Sequence, residues 1–271
     1  NGAHKLGKVR VFRENKHRSK SDIIWGEREW PRANVSGFGA NGMHIWFGDV
    51  FPNGSGPGQD HNMLQDPQGR KFSYLRLSIT DLCNYRCNYC LPDGYKCDSK
   101  PDYLSFNEIK LVVASFARHG INKVRITGGE PSLRRDLPEI ITAVKNTQGI
   151  EKVALTTNAH QLDRKVQQWA DCGLDAINIS CDSLDARMMK AVIGRDNLAE
   201  MMAGIDIALK STIKQVKINT VLLKKYNYKQ LDQLIDWVKD TPISLRFIEL
   251  MQTVDNKEYF EANHVSAEEI G

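Results

Sequence analysis

From residue 71 onward two hydropathy patterns alternate along the chain. Short runs in which apolar and polar residues take turns carry the period-2 signature of a strand. Between them lie longer runs with apolar residues every three or four positions, the signature of an amphipathic helix. The strands predicted are Tyr74–Thr80, Lys123–Thr127, Lys152–Thr157, Ala176–Asp182, Gln215–Leu222 and Ile243–Leu250. The helices predicted lie near Ser105–His119, Leu133–Asn146, Asp163–Asp171, Asn197–Lys210 and Tyr228–Lys239. Ser105 with Glu108 has the form of a capping box, and Asp163 reads as an N-cap. Gly120 and Gly173 follow helix ends as stop signals. Strand–helix alternation at this spacing means a parallel sheet. Six βα units are too few to close an eight-stranded barrel. The expected fold class is therefore α/β, a partial, open (β/α)6 TIM-like barrel, with a doubly wound open sheet as the competitor.

Each strand carries one apolar and one polar row. Leu75, Leu77 and Ile79 oppose Arg76, Ser78 and Thr80; Val124 and Ile126 oppose Lys123, Arg125 and Thr127. The third strand offers Thr156, followed by Asn158, and the fourth Asn178, Ser180 and Asp182. The fifth offers Lys217 and Asn219, the sixth Ser244 and Arg246. If the apolar rows face the helices, the polar rows converge on the lumen. An ordinary barrel interior is packed with Val, Ile and Leu. This one would hold Arg76, Lys123, Arg125, Lys217 and Arg246 against Asp182 alone. Burying so many like charges without partners is very costly, so the cavity must take water or an anionic ligand. Arg76, Arg125 and Lys217 are the expected ligand contacts, because Arg and Lys in a confined site suit phosphate or carboxylate. Lys123 opens its strand and is expected at the rim or paired with a loop carboxylate.

Residues 1–62 read differently. They hold ten of the chain's 20 glycines and three of its five tryptophans, with no sustained helical or alternating pattern. Asn53–Asp60 has the composition of a linker. The basic run from Lys5 to Lys20 reads as a solvated tail rather than a nucleic-acid arm. The expectation is an irregular extension outside the functional domain, with Met63 as the natural start and residues 63–271 as the core. The net charge of +4 comes largely from this extension, so bulk charge gives no argument for nucleic acid or membrane. No apolar run is long enough to span a bilayer and no signal segment opens the chain, so the default location is cytoplasmic.

The chemistry gathers in Asp81–Cys90, which places Cys83, Cys87 and Cys90 in a C-x3-C-x2-C spacing. Three thiolates on one short loop can grip a soft metal centre. A [4Fe–4S] cube held by three cysteines keeps one iron open to a small molecule. Structural zinc is the alternative, but zinc wants four closed ligands, and the nearest further thiol, Cys97, lies beyond a Pro-Asp-Gly turn. Cys172 and Cys181 read as core thiols. His119, His160 and His264 are isolated and receive no role. Thr127–Pro131 (TGGEP) follows the second strand, and paired glycines let a ligand approach the backbone closely.

The cysteine spacing, with Tyr89 just before the last cysteine, resembles the radical S-adenosylmethionine (SAM) superfamily. The ordered motifs Leu75–Cys83, Val124–Pro131, Leu155–Asn158, Ile177–Ser180, Val216–Asn219 and Arg246–Met251 resemble, more narrowly, the GTP 3′,8-cyclase family that opens molybdenum cofactor biosynthesis. The likeness covers about residues 70–271. It implies a barrel of the radical SAM type. By the resemblance, Cys83, Cys87 and Cys90 hold a [4Fe–4S] cluster, Tyr89, Gly129, Ser180 and Met251 contact SAM, and Arg76, Arg125, Thr156 and Lys217 contact GTP. The implied reaction starts with an electron from the cluster to SAM. SAM yields methionine and a 5′-deoxyadenosyl radical, which takes hydrogen from C3′ of the ribose; C3′ then attacks C8 of guanine. The implied partners are GTP, a reducing electron donor and the downstream cyclic pyranopterin monophosphate synthase, with a homodimer left open.

Two departures from that family stand out. Residues 1–62 have no counterpart in it, and the three cysteines expected to hold a second [4Fe–4S] cluster after the barrel are absent. The expectation is a core truncated before the second-cluster region, able to bind SAM and a cluster but impaired in turning GTP over. The competing readings are a radical SAM enzyme acting on a peptide or tetrapyrrole, and a non-catalytic zinc or cluster-binding module.

Overall fold

The computed structural model describes residues 8–12, 45–46, 63–66, 69–96, 103–253 and 256–270. Most of 1–62, including the linker-like Asn53–Asp60, and Cys97 lie outside the described residues. Among the described residues eight strands form one sheet: β1 (Lys8–Phe12), β2 (Ile45–Trp46), β3 (Tyr74–Ser78), β4 (Lys123–Thr127), β5 (Lys152–Thr157), β6 (Ala176–Ser180), β7 (Gln215–Val221) and β8 (Ile243–Ile248). Their order is β1-β8-β7-β6-β5-β4-β3-β2. All neighbours run parallel except β2, which is antiparallel to β3.

The six strands read from periodicity are therefore present and in chain order from β3 to β8. Four of them end before the alternation does, so Thr80, Asp182, Leu222 and Glu249–Leu250 fall in the loops at their C-terminal ends. The two additional strands come from the segment read as irregular. Val9 and Val11 take register positions opposite Leu245 and Phe247. Five residues with only two internal apolar positions carry too little periodicity to stand out in a Gly-rich stretch.

Among the described residues seven α-helices cover the sheet: α1 (Phe106–Arg118), α2 (Leu137–Lys145), α3 (Leu162–Asp171), α4 (Ala186–Ile193), α5 (Leu198–Lys210), α6 (Leu231–Lys239) and α7 (Lys257–Asn263). Ser105 caps α1 in a full capping box with Glu108. The helix read as continuous from Leu133 is divided. Pro131–Leu133 is a 3-10 turn, and Arg134 is extended because its guanidinium turns inward to the carbonyls of Ile79 and Leu104. Asp163 does not cap α3; the cap position is Gln161, at φ +53°, and Asp163 sits in the first turn. The last helix of the six units likewise opens as a 3-10 turn, Tyr228–Gln230, before α6. Gly120 and Gly173 end their helices at φ +87° and +94°, as expected.

The apolar rows are the core. Leu77, Ile79, Ile126, Leu155, Ile177, Ile179, Ile218, Leu245 and Phe247 are all completely buried beneath the helices. At about 25 cal/mol per Å² of apolar surface, this layer is the main source of stability. The opposite face is only half covered: Arg76, Ser78, Arg125, Thr156, Lys217, Asn219, Ser244 and Arg246 are of intermediate exposure. Lys123, at the start of β4, is exposed at the rim, as the sequence suggested.

Candidate active site

Register fixes which polar residues are neighbours. Arg76 lies opposite Arg125. Thr156 lies opposite Asn178, and Asn178 opposite Lys217. Ser180 lies opposite Asn219, and Asn219 opposite Arg246. Side chains alternate across a strand, so all of these share one face. The structure thus brings Arg76, Arg125, Thr156, Lys217 and Ser180 onto a single concave surface. Like charges directly opposite each other destabilise a sheet. The Arg125 guanidinium lies over the Tyr74 ring, 5.3 Å from its centroid, which offsets part of that repulsion. Its Nε is nonetheless buried without a hydrogen-bond partner among the described residues, as are the side-chain oxygens of Asn178 and Asn219. Buried polar atoms left this way mark a surface built to meet a ligand or ordered water.

The cysteine loop leaves the C-terminal end of β3 and crosses the mouth of this face. Its shape is set by residues other than the cysteines. Tyr85 is buried, and its hydroxyl accepts a hydrogen bond from Asn197 Nδ2 at 2.7 Å. Asn158 Nδ2 donates to Asn84 Oδ1 at 3.0 Å, and Asn88 Nδ2 donates to the Ala191 carbonyl at 2.8 Å. Tyr89 donates through its hydroxyl to Asp182 Oδ2 at 2.9 Å. Asp182 is 1% exposed and also accepts from the Val221 N–H at 2.9 Å. Burial raises its carboxyl to about 6, against those two hydrogen bonds. Asp182 therefore does not act as a free counter-charge to the lumen cations, as its strand position suggested. It lies past the end of β6 and anchors the loop.

The Gly128–Gly129–Glu130 segment clamps the same loop from the other side. Gly129 N–H donates to the Thr80 carbonyl at 2.7 Å and Glu130 N–H to the Leu82 carbonyl at 2.6 Å. A Cβ at residue 129 would stand 2.1 Å from the Leu82 oxygen. Gly129 is thus required by backbone packing, a reason the motif alone did not reveal. Glu130 is fully buried and accepts from Ser132 N–H at 2.9 Å, the Thr157 hydroxyl at 2.7 Å and Asn158 N–H at 2.6 Å. Its carboxyl is raised by burial despite these bonds. It ties the ends of β4 and β5 together.

Cys83 and Cys87 are partly buried, whereas Cys90 keeps some surface in solvent. Desolvation raises all three thiols, Cys90 to about 11. Cys87 is raised further by Asp182 and then by the two other thiols, so the three sit close enough to repel one another as thiolates. Three partly desolvated, mutually repelling thiols ionise readily only with an added cation, which fits an iron–sulfur group. Among the described residues no three His, Cys, Asp or Glu side chains are grouped to hold a single metal ion.

Met251 follows β8, and its carbonyl accepts from Asn256 Nδ2 at 3.1 Å, which folds the loop back toward α7. His264, read as isolated, is paired: its Nε2 is 2.8 Å from Glu249 Oε1, and its ring lies 4.4 Å from that of Phe260. Glu249 Oε2 accepts from Ala267 N–H at 3.0 Å, so the buried carboxylate pins the C-terminal turn to β8. Cys181 is buried in the core, and Cys172 ends α3. No helix among the described residues is long and apolar enough to cross a membrane.

Residues 77–238 match the profile of the Radical SAM superfamily. The chain is 52% identical over 214 residues to GTP 3′,8-cyclase of Psychromonas ingrahamii, covering 78% of this chain and 63% of that protein. It is 53% identical over 205 residues to GTP 3′,8-cyclase of Vibrio atlanticus, covering 75% and 61%. It thus spans less than two thirds of the length of these curated relatives. Among solved structures it resembles Streptococcus suis SuiB bound to S-adenosylmethionine, with TM-score 0.58, 20% identity, and 72% and 43% of the two chains covered. It also resembles HydG, a maturase of the [FeFe]-hydrogenase, with TM-score 0.56, 14% identity, and 70% and 45% covered. At these identities the structural likenesses support the open-barrel fold alone.

Proposed function

This chain belongs to the radical SAM superfamily, and we propose that it is the barrel of a GTP 3′,8-cyclase, acting in molybdenum cofactor biosynthesis. The observation that carries the reading is a cationic sheet face directly under a three-cysteine loop. A peptide or tetrapyrrole substrate does not need a basic lumen of triphosphate size. On this reading Cys83, Cys87 and Cys90 hold one [4Fe–4S] cluster whose fourth iron takes SAM. The bound pair supplies a carbon radical able to remove hydrogen from an unactivated C–H bond. The chain's own residues bind, orient and exclude water.

Arg76 and Arg125, adjacent in register, form a two-guanidinium clamp for phosphate oxygens, and Lys217 supplies a third charge two strands beyond Thr156. Thr156 offers a hydroxyl beside Asn178. Tyr89, held by Asp182, and Met251, held by Asn256, give SAM one ring face and one thioether, with Ser180 and the Gly129 backbone completing its site. The second [4Fe–4S] cluster of the proposed family is not ligated by Cys172 or Cys181, which serve α3 and the core. The reducing donor, the downstream cyclic pyranopterin monophosphate synthase and a homodimer belong to the proposal for the whole enzyme.

Anaerobic reconstitution with iron and sulfide tests this directly. The chain should take up about four irons, cleave SAM to 5′-deoxyadenosine under reduction, and bind GTP. Arg125→Ala and Lys217→Ala should each weaken GTP binding about tenfold or more, as loss of a charge-assisted hydrogen bond does, while leaving iron uptake unchanged. One tightly held zinc, or GTP binding indifferent to both substitutions, would overturn the reading.

A further inference from the structure

The floor of the lumen, at the N-terminal ends of the strands, carries a lysine that has no role so far. Lys152 opens β5 and lies opposite Lys123 of β4. Lys123 is exposed, whereas Lys152 is half-buried. Arg125 follows Lys123 by two residues and shares its face. Like charges set opposite each other destabilise a sheet, so this corner is costly until an anion enters it. Desolvation lowers the Lys152 amine from the ordinary lysine range; Asp175 opposes this, and Lys123, Arg125 and Lys214 lower it further. Asp175 is already engaged. Its carboxylate bonds to Lys145 at 2.6 Å and to the Val153 N–H at 2.9 Å, and its other oxygen is 3.6 Å from Lys214. Among the described residues no ion pair joins Lys152 to a carboxylate.

The amine is held by a neutral partner instead. Lys152 Nζ donates to Gln215 Oε1 at 3.0 Å. Register shows where this bond places it. Arg76, Arg125, Ala154, Ala176 and Gln215 are Cα partners in turn across five strands. Ala154 and Ala176 end at Cβ, so this row is hollow between Arg125 and Gln215. Lys152 sits two residues before Ala154 on the same face of β5, and its bond to Gln215 carries the amine across β6 beneath the hollow. Gln215 in turn precedes Lys217 by two residues on β7, roughly 7 Å along the strand at ~3.3 Å per residue. The amine therefore lies under the space framed by Arg125 on one side and Lys217 on the other. An ammonium has three donors, and Gln215 takes one, which leaves two for oxygens of an anion.

We propose that Lys152 receives the terminal phosphate of the nucleoside triphosphate and sets the preference for a triphosphate over a diphosphate. The inference rests on the GTP reading given under Proposed function and deepens it. A phosphate chain that runs from the Arg76–Arg125 clamp toward the floor ends at this amine. Gln215 is the positioning residue: it aims the lysine and adds no charge that would compete with phosphate. The step is binding alone, and no bond is made or broken.

The test uses the whole chain, reconstituted without oxygen, with GTP and GDP as probes. Titration calorimetry compares the wild type with K152Q, and iron uptake and thermal unfolding check that the variant is folded. K152Q should weaken GTP binding about tenfold or more, as loss of a charge-assisted hydrogen bond does, and leave GDP binding where it was. A second measurement needs no substitution. The wild type is treated with a lysine-methylating reagent, and labelling of Lys152 is read by mass spectrometry. GTP should shield Lys152 and GDP should not. Unchanged GTP affinity in K152Q, an equal loss for GTP and GDP, or equal shielding by the two nucleotides would overturn the terminal-phosphate assignment alone. A wild-type chain that binds neither nucleotide would remove the GTP reading beneath it.

Discussion

Replacing Gly129 by Ala tests whether the Gly-Gly-Glu segment shapes the cysteine loop. The new Cβ would meet the Leu82 oxygen at 2.1 Å, the Asp81 oxygen at 2.5 Å and the Leu82 carbonyl carbon at 2.6 Å. Non-bonded heavy atoms settle near ~3.5 Å, so the loop must retreat by about 1 Å. All three atoms are backbone, so no side-chain rotation relieves the clash. The retreat breaks the Gly129-to-Thr80 and Glu130-to-Leu82 hydrogen bonds, at 2.7 and 2.6 Å. Each contributes about 1 kcal/mol net, and overpacking adds ~1–3 kcal/mol. The sum, roughly 3–5 kcal/mol, is a large part of the 5–15 kcal/mol typical of a domain. It corresponds to a fall in Tm of roughly 10 °C. Gly149→Ala is the comparison. Gly149 has φ +92° but its Cβ would meet nothing closer than 3.6 Å, so it carries only the left-handed penalty of ~1–2 kcal/mol. Calorimetry on the metal-free chains and iron content after reconstitution are the assays. G129A should melt well below G149A and take up less iron. Melting at or above G149A with normal iron uptake would refute the clamp. If G129A melts as expected, its loss of SAM binding would report the displaced loop, not a lost contact.

Asp182→Asn should change how stability depends on pH. The Asp182 carboxyl is raised from 3.8 to about 6 by burial, so across that window the folded chain binds the proton more readily than the unfolded chain. Its charging therefore costs stability as pH rises from about 4 to 6, by up to roughly 3 kcal/mol at ~1.4 kcal/mol per unit. Urea unfolding at pH 4.5 and pH 7 should show a smaller difference in D182N than in the wild type; an equal difference would exclude Asp182 as the source. Ser105→Ala removes the α1 capping box and should lower stability by about 1 kcal/mol while leaving iron uptake intact, read by thermal unfolding and iron analysis.

The strands were legible because each repeats one apolar and one polar row for five to seven residues. That same repeat exposed the cationic face, since Arg76, Arg125 and Lys217 all fall on the polar phase. Short helices were not legible. α4 has eight residues and α7 seven, about two turns each, too short for a 3.6-residue period to repeat. Asp163 follows the residue pattern of a cap, but the left-handed turn at Gln161 starts α3 earlier, and no residue type announces that. What holds the site together was least legible. Asp182 and Tyr89 are 93 positions apart, and Asn197 and Tyr85 are 112 apart. His264 meets Glu249 only because α7 folds back beside β8. Such pairs exist once the sheet order is known, and nothing local encodes them.

The sheet order also explains why one loop can be held from so many sides. In a parallel sheet every strand delivers its following loop to the same end. Cys83 follows β3, Glu130 follows β4, Asn158 follows β5, and Asp182 follows β6. Each of the last three bonds either to the cysteine loop or to another of its anchors. The loop therefore inherits its shape from the packed core beneath it, through the hydrogen bonds of Asn84, Tyr85, Asn88 and Tyr89. This separates folding from metal loading. In a zinc finger the metal supplies the folding free energy and the metal-free chain is unfolded. Here the apolar rows and the anchors precede the cluster, so the barrel can stand ready with three protonated thiols. On the proposed cluster reading, iron would have only to displace protons from thiols that desolvation holds above their ordinary value.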